Sequence, residues 1–282
     1  MPPGAGAEVG VFGGSGFYAF LDDVTEVALH TPYGAPSARV ALGTVGGRRV
    51  AFLPRHGVHH ELPPHRVNYR ANVWAMRELG VRRIVGPCAC GSLRPDVHPG
   101  DLVVVDQLVD RTSGRGDTYF DGGVVGHVGF ADPYCPEVGA AVIAAAKDEG
   151  VNVHERGTVV VIQGPRFSTR AESQWYRRQG WDVVNMTQYP EAYLARELGL
   201  CYTGMAIVTD YDTGVDSDDG EPAELGARGI APVRMEDVFA VLKANVERTR
   251  AVLFRAIPAL APAGEATCSC ADAIEEGPLR PH

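Results

Sequence analysis

The chain has 282 residues, of which 45% are hydrophobic, with a formal charge of -9 and a pI near 5.5. This length can bury a substantial core in one large α/β domain or two small ones. The acidic balance argues against a nucleic-acid surface, which needs a cationic field to displace counterions, so we expect any phosphate-bearing partner to be small.

The sequence predicts neither export nor membrane insertion. Its start, MPPGAGAEVG, has no basic n-region and no apolar h-region. No window approaches the roughly 20 apolar residues that span a bilayer. We therefore expect a cytoplasmic protein with no membrane partner.

The six cysteines divide into two groups. Four lie in or beside apolar runs, where buried reduced thiols are ordinary: Cys88, Cys90, Cys135 and Cys201. The other two, Cys268 and Cys270, lie in a polar segment, where an accessible thiol could oxidise or bind a soft metal.

Short β-branched runs alternate with helical periodicity along the chain, which predicts an α/β fold around one sheet. The predicted strands are residues 9–12, 38–42, 48–53, 83–86, 102–105, 157–162, 183–186 and 202–209. The predicted helices are residues 68–79, 137–149, 169–179, 191–198 and 236–257. Gly46-Gly47 between two apolar runs predicts a hairpin, so part of the sheet should be antiparallel.

No repeat or linker divides the chain, so we predict one domain over residues 1–262. Residues 263–282 lack periodicity and are predicted to be a loosely ordered C-terminal tail. Residues 212–226 are acidic and rich in Gly, Ser and Pro, which predicts a solvated surface loop, with a lid as the alternative.

A phosphate cradle is one interpretation of Gly13-Gly14-Ser15-Gly16, which follows the first predicted strand. The spacing matches neither a dinucleotide-binding motif nor a P-loop, and a structural turn is an equal alternative. Arg55 and His56 follow another strand, where a guanidinium beside an imidazole suits a dianion.

Zinc is the alternative for this second segment, because four histidines crowd residues 56–65 and His56 and His60 have i, i+4 spacing. Gly57 and Pro63-Pro64 disfavour a helix there, and no His-Glu-x-x-His motif is present. We therefore predict no metal ligands.

Further polar or aromatic groups follow other predicted strands. Cys88 to Ser92 is either a buried cysteine pair or a site of backbone N–H donors. Phe167 offers an aromatic face to a base or sugar, with core packing as the alternative. Thr187 is placed where α/β proteins usually bind ligands, or else it caps a helix.

Thr209-Asp210-Tyr211-Asp212 ends the last predicted strand. Two carboxylates separated by one residue face the same side of an extended chain. Their repulsion should raise at least one pKa and prepare that carboxyl to donate a proton. A metal site is the alternative, although it would need more oxygen ligands.

The chain resembles the trimeric purine nucleoside phosphorylase family, and within it the branch acting on 5'-methylthioadenosine. The resemblance spans about residues 9–257 through the segments GGSGFY, RHG, NYRANVWAM, ACGSL, DQLVDRT, GPRFSTRAES, VVNMTQYPEA and TDYD. It implies a single α/β domain with a central mixed, partly barrel-like β-sheet flanked by helices. It also implies a homotrimer or a hexamer.

The resemblance implies three groups of site residues. Those holding phosphate, the nucleophile, are Ser15, Arg55, His56, Cys88, Ala89 and Thr187. Those contacting the nucleoside are Phe167, Ser168, Asn185, Met186, Thr209, Asp210 and Asp212. The 5' pocket is implied to contain His60, Met235 and Phe239, with His127 from a neighbouring subunit.

The resemblance further implies that protonated Asp210 acts as the catalytic acid near purine N7 and that Asp212 supports it. A carboxyl there favours adenine, because 6-oxopurine enzymes of the family are expected to carry an Asn. Cys88 departs from the family, which usually has a Thr or Ser hydroxyl at this position. No metal or organic cofactor is implied, and phosphate is a co-substrate.

These features together predict phosphorolysis of 5'-methylthioadenosine to adenine and 5-methylthioribose 1-phosphate. The alternative within the family is a phosphorylase for another 5'-modified or 6-oxopurine nucleoside. From other classes, the alternatives are a zinc hydrolase and a non-catalytic nucleoside-binding protein.

Overall fold

The computed structural model describes residues 6–14, 17, 21–22, 24–123, 125–213, 215 and 234–274. Ser15, most of the acidic loop predicted at 212–226 and residues 275–282 lie outside the described residues, and so does the side chain of Met235.

The described residues form a sheet with helices around it. The strands are β1 Val9–Gly13, β2 Thr25–Val27, β3 Val40–Val45, β4 Arg48–Pro54, β5 Arg83–Ser92, β6 Leu102–Val105, β7 Gln107–Arg111, β8 Val153–His154, β9 Thr158–Ile162, β10 Val183–Asn185 and β11 Cys201–Tyr211. The α-helices are α1 Tyr69–Glu78, α2 Pro136–Asp148, α3 Arg170–Arg178, α4 Gln188–Glu197 and α5 Met235–Ala259. Short 3-10 helices span Pro64–Arg66, Ala263–Glu265 and Ser269–Ile274.

Local chemistry explains where the helices begin. Asn68 Oδ1 accepts from the Ala71 N–H at 3.3 Å at the start of α1. Thr169 and Glu172 form a capping box at the start of α3. Pro136 occupies the first position of α2, where its missing N–H costs nothing.

The helices cover both faces of the sheet. Val73 of α1 and Leu194 of α4 belong to one buried cluster. Val142 of α2 and Leu253 of α5 belong to the other. The predicted α/β domain with a mixed sheet flanked by helices is therefore confirmed. No helix among the described residues is both long and apolar enough to cross a bilayer.

The sheet forks at β5, which pairs with β11 in parallel along its whole length. On its other side, β5 pairs in parallel with β1 at residues 83–85 and antiparallel with β10 at residues 91–92. Within the described chain, residues 86–90 have no strand beside them on that side. A gap therefore opens between the ends of β1 and β10.

Two strand features depart from the prediction. β5 runs through Ser92 rather than ending at residue 86, because Pro87 lies in the unpaired stretch, where no ladder hydrogen bond is lost. β2, β7 and β8 were not predicted, since they are short and half-exposed. The predicted hairpin at Gly46-Gly47 is confirmed by the antiparallel pairing of β3 with β4.

Part of the C-terminal segment forms short turns that pack against the domain. Residues 263–265 and 269–274 form 3-10 turns, and Cys270 and Ala273 are buried. Small thiol and methyl groups provide this packing, and they leave no periodic signal in the sequence. The loosely ordered tail from residue 263 stays a prediction.

Candidate active site

A cavity of about 380 Å³ lies at the fork of the sheet. Its lining comes from the ends of β1, β4, β9, β10 and β11 and from the unpaired stretch of β5. The predicted site residues that line it are Arg55, His56, His60, Cys88, Ala89, Phe167, Ser168, Asn185, Met186, Thr187, Thr209, Asp210 and Asp212. The structure thus brings together the predicted phosphate and nucleoside residues, apart from Ser15, which lies outside the described chain.

The predicted 5' pocket is only partly assembled by this chain. The His60 ring lines the cavity, and its centroid lies 5.9 Å from the Phe239 centroid. Val238, which the sequence did not single out, also lines the cavity. His127 is exposed and is not part of the lining, so its contribution from a neighbouring subunit stays a prediction.

Arg55 is fully buried and fixed in position. Its Nε donates to Glu191 Oε1, and its Nη2 donates to Glu191 Oε2 at 2.8 Å. Its Nη1 donates to Pro87 O at 3.1 Å. Burial lowers the pKa of Arg55, but the Glu191 carboxylate outweighs it and holds that pKa above its ordinary value. These contacts use three of the five N–H donors, which leaves two for an anion in the cavity.

Glu191, like Val238, was not predicted from the sequence as part of this site. Its side chain is fully buried, and Tyr202 Oη donates to its second oxygen at 2.6 Å. The ion pair joins residues 136 positions apart, so no local motif signals it. Glu191 also neutralises Arg55, so the pair offers an anion directed hydrogen bonds rather than net positive charge.

His56 is held as a neutral imidazole. Its Nδ1 donates to Leu62 O at 2.8 Å, which leaves Nε2 as an acceptor. Burial, followed by the neighbouring Arg55 charge, lowers the pKa of His56 to about 3. The sequence predicted that His56 lies beside a dianion. In this geometry the free Nε2 can accept a hydrogen bond, such as one from the P–OH group of a hydrogen phosphate.

Cys88 and Thr187 differ in what they offer a ligand. The Cys88 sulfur accepts from Asn185 Nδ2 at 3.2 Å and from Gln188 Nε2 at 3.4 Å, and its thiol faces Met205 O at 3.9 Å. The thiol is thus engaged with the protein. Thr187 lines the cavity and makes no capping hydrogen bond to α4, so its hydroxyl is placed to meet an anion.

Gly14 allows the backbone after β1 to approach β5. A Cβ at this position would lie 2.8 Å from Pro87 O and 3.2 Å from Arg55 Nη1. Overpacking of this kind costs about 1–3 kcal/mol. Relief of this contact has to move Arg55 Nη1 or the β5 backbone, so we expect Gly14→Ala to raise the Kd for inorganic phosphate about tenfold, which corresponds to about 1.4 kcal/mol of binding free energy.

Isothermal calorimetry with inorganic phosphate tests this prediction. Gly264→Ala is the control, because a Cβ there meets no heavy atom within 4 Å. Equal phosphate affinity in the two variants would show that the approach of Gly14 to β5 does not shape an anion site.

The two carboxyls at the end of β11 lie over Gly91. A bulge between Val208 and Asp210 shifts the register against β5. A Cβ on Gly91 would lie 3.1 Å from Asp210 Oδ2 and 3.4 Å from the Asp212 Cβ. The absence of a side chain at Gly91 therefore gives both acidic residues room at the cavity.

Asp210 has a pKa suited to proton transfer near neutrality. Burial raises its pKa to about 6, Thr209 Oγ1 opposes the shift by donating to Oδ1 at 2.6 Å, and the Asp212 charge adds a smaller increase. Burial also raises the pKa of Asp212, against a hydrogen bond from Ser173. Desolvation, rather than the mutual repulsion predicted from the sequence, is thus the main cause.

The histidine cluster does not form a metal site among the described residues. His56 Nδ1 is bound to a carbonyl, and the His56 and His60 ring centroids lie 4.7 Å apart in a tilted arrangement. The one described group of three or more His, Cys, Asp or Glu with metal-ligand spacing consists of cysteines. This geometry gives no support to the zinc hydrolase alternative.

Residues 8–258 match the Phosphorylase superfamily. A purine nucleoside phosphorylase of Streptomyces coelicolor is 55% identical over 276 residues, 95% of this chain and 94% of that protein. An S-methyl-5'-thioadenosine phosphorylase of Mycolicibacterium smegmatis is 54% identical over 262 residues, 93% of each chain. The structure of methylthioadenosine phosphorylase from Schistosoma mansoni in complex with adenine has a TM-score of 0.85 at 36% identity, covering 95% of this chain and 96% of that one.

Proposed function

The chain belongs to the Phosphorylase superfamily, and from that membership we propose that it phosphorolyses 5'-methylthioadenosine to adenine and 5-methylthioribose 1-phosphate. The observation that carries the proposal is one cavity that contains both anion-binding donors and a carboxyl whose pKa is about 6. Phosphorolysis of a purine nucleoside needs both groups at once.

The chemistry assigns each group a task. Hydrogen phosphate, held by Arg55 and Thr187, attacks C1' of the ribose as the bond from C1' to N9 breaks. The sugar gains cationic character, which the phosphate stabilises, and the purine gains negative charge. Protonated Asp210 donates to N7 and neutralises the departing base, while Asp212 supports it from the neighbouring position. These roles are proposals, and they require no metal or organic cofactor.

A pH profile tests the acid role of Asp210. With a pKa of about 6, its protonated fraction falls tenfold for each pH unit above that value. We expect kcat/KM for 5'-methylthioadenosine to decrease as pH rises above about 6. The ionisation of phosphate affects wild type and Asp210→Asn alike. The ratio of their kcat/KM values therefore isolates the part of the pH dependence that comes from Asp210. A ratio that does not change with pH would contradict the assignment.

The alternative is a purine nucleoside phosphorylase with other base or 5' preferences, as the Streptomyces coelicolor relative is named. Two observations favour an adenine nucleoside with an apolar 5' group. A carboxyl stands at position 210, and the predicted 5' region combines the His60 and Phe239 rings with Val238. A buried 5'-hydroxyl without a partner would cost about 1–3 kcal/mol there.

A substrate panel discriminates these possibilities. We propose comparing kcat/KM for 5'-methylthioadenosine, adenosine, inosine and a 5'-halogenated adenosine, with and without phosphate. The proposal requires the highest kcat/KM for 5'-methylthioadenosine and the lowest for inosine. Faster turnover of inosine would favour the alternative, and binding without turnover in phosphate would indicate a non-catalytic nucleoside-binding protein.

The remaining expectations concern the whole protein. We propose a homotrimer, with a hexamer as the alternative, in which a neighbouring subunit supplies His127 to the 5' pocket. We also propose that the enzyme is cytoplasmic and acts on small molecules alone. Sedimentation of wild type and a comparison of KM with His127→Ala would test the assembly.

A further inference from the structure

Four cysteines converge far from the cavity. Cys135 precedes α2, Cys201 begins β11, Cys268 directly precedes the last described 3-10 turn, and Cys270 lies within it. The cavity-lining residue Cys88 pairs with Ala206 of β11, and a strand rises about 3.3 Å per residue, so the five residues from Cys201 to Ala206 place the cluster about 17 Å from the nearest cavity residue of β5. The cluster is therefore independent of the proposed active site.

The spacing of the sulfur atoms suits one tetrahedral ion. All four Sγ atoms lie within 4.8 Å of one another, and the Sγ atoms of Cys201 and Cys268 are 3.4 Å apart. Zn–S bonds of about 2.3 Å in a tetrahedron place sulfur atoms about 3.8 Å apart. All four cysteines are free thiols. One ion can therefore reach every sulfur after small side-chain shifts.

The backbone around the cluster is fixed by other contacts. The Cys135 N–H donates to Tyr202 O at 2.8 Å, and Thr203 Oγ1 donates to Cys135 O at 3.1 Å, which joins the start of α2 to β11. On the C-terminal side, the Thr267 N–H donates to Glu137 Oε1 at 2.6 Å. These contacts orient the thiols in advance, as outer contacts do in metal sites.

The surroundings also suit an anionic centre, because Zn²⁺ with four thiolates carries two net negative charges. The Val138 N–H in the first turn of α2 donates to the Cys135 sulfur. Arg83 is the register partner of Cys201 and is only 4% exposed, yet its Nε has no hydrogen-bond partner among the described residues.

The Arg83 guanidinium lies among the segments that carry the cysteines. Its Nη2 donates to Pro262 O at 3.3 Å and lies 3.9 Å from Glu137 Oε2. A buried cationic group with an unmet donor is costly. A negatively charged metal centre beside it would offset that cost.

The geometry points to a structural site for one Zn²⁺, held by the thiolates of Cys135, Cys201, Cys268 and Cys270. Four sulfur ligands in tetrahedral reach, with no histidine or carboxylate among them, select zinc over harder cations. Binding replaces four thiol protons by the metal and involves no redox step. The ion cross-links the C-terminal turn to the start of α2 and the start of β11.

Metal content and spectroscopy test the site. Protein purified under reducing conditions with added zinc should contain close to one zinc per chain by plasma mass spectrometry. X-ray absorption on wild type should give four Zn–S distances of about 2.3 Å. The double variant Cys268→Ser/Cys270→Ser should fall to background zinc. Ser269→Ala, an exposed position in the same turn, is the control and should keep its zinc.

Cobalt(II) provides a second readout, since tetrahedral thiolate coordination gives intense charge-transfer absorption in wild type and in Ser269→Ala but not in the double variant. Wild-type protein without zinc would overturn the proposal. A double variant with wild-type zinc content, or absorption spectra without four sulfur neighbours, would overturn it as well. The wild-type measurements decide the matter even if the double variant folds poorly.

Discussion

Replacing Asp210 by Asn should lower kcat/KM for 5'-methylthioadenosine by about 10²- to 10⁴-fold, the usual contribution of a positioned general acid. An Asn amide is nearly isosteric with the carboxyl but cannot release a proton to the purine. The burial that raises the pKa of Asp210 to about 6 is what keeps a fraction of the carboxyl protonated near neutrality. Steady-state adenine release measures the effect.

Two comparisons make this result specific. Asp96→Asn alters an exposed carboxylate paired with Arg94 outside the cavity lining, and it should leave kcat/KM unchanged. Phosphate affinity should be nearly the same in Asp210→Asn and wild type, because the anion donors are untouched. Wild-type turnover by Asp210→Asn would contradict the role of Asp210 as the general acid.

The largest stability effect is expected from Glu191→Gln. This change leaves the fully buried Arg55 charge without its carboxylate partner, and breaking a buried pair in this way costs about 3–5 kcal/mol. It also frees the guanidinium to turn away from the cavity. We therefore expect a lower free energy of unfolding in denaturant titrations and a higher KM for phosphate, with less change in the KM for nucleoside.

Glu8→Gln is the matched control for that experiment. Glu8 pairs with Arg48 at 2.7 Å, but its side chain is 48% exposed, so solvent screens the pair. Exposed pairs of this type contribute about 0–1 kcal/mol. Similar losses of stability in Glu191→Gln and Glu8→Gln would show that the Glu191 carboxylate does not offset the desolvation cost of the buried Arg55 charge.

The sequence predicted the convergence of the site because its motifs follow predicted strands. Arg55, Thr187 and Asp210 are distant in the chain, yet each follows or ends a strand of the same sheet. What it did not predict is the fork that creates the cavity. Gly86-Pro87 looks like the end of a strand, whereas β5 continues past it with one side unpaired.

Burial accounts for most of the other features of the site that the sequence did not predict. The neutral state of His56 and the high pKa of Asp210 both arise first from desolvation, which no local sequence pattern reports. The pairing of Arg55 with Glu191 is a long-range contact between a strand end and a helix. Cys268 and Cys270 looked accessible in a polar segment, but Cys270 is buried and Cys268 is partly covered.

The most direct test of the central claim is a crystal structure of the protein with phosphate and adenine bound together. The proposed mechanism predicts both ligands in the cavity at the fork of β5, with the anion hydrogen-bonded to Arg55 and Thr187 and adenine N7 facing the Asp210 carboxyl. Phosphate and adenine in separate cavities, or a purine whose N7 points away from Asp210, would contradict it.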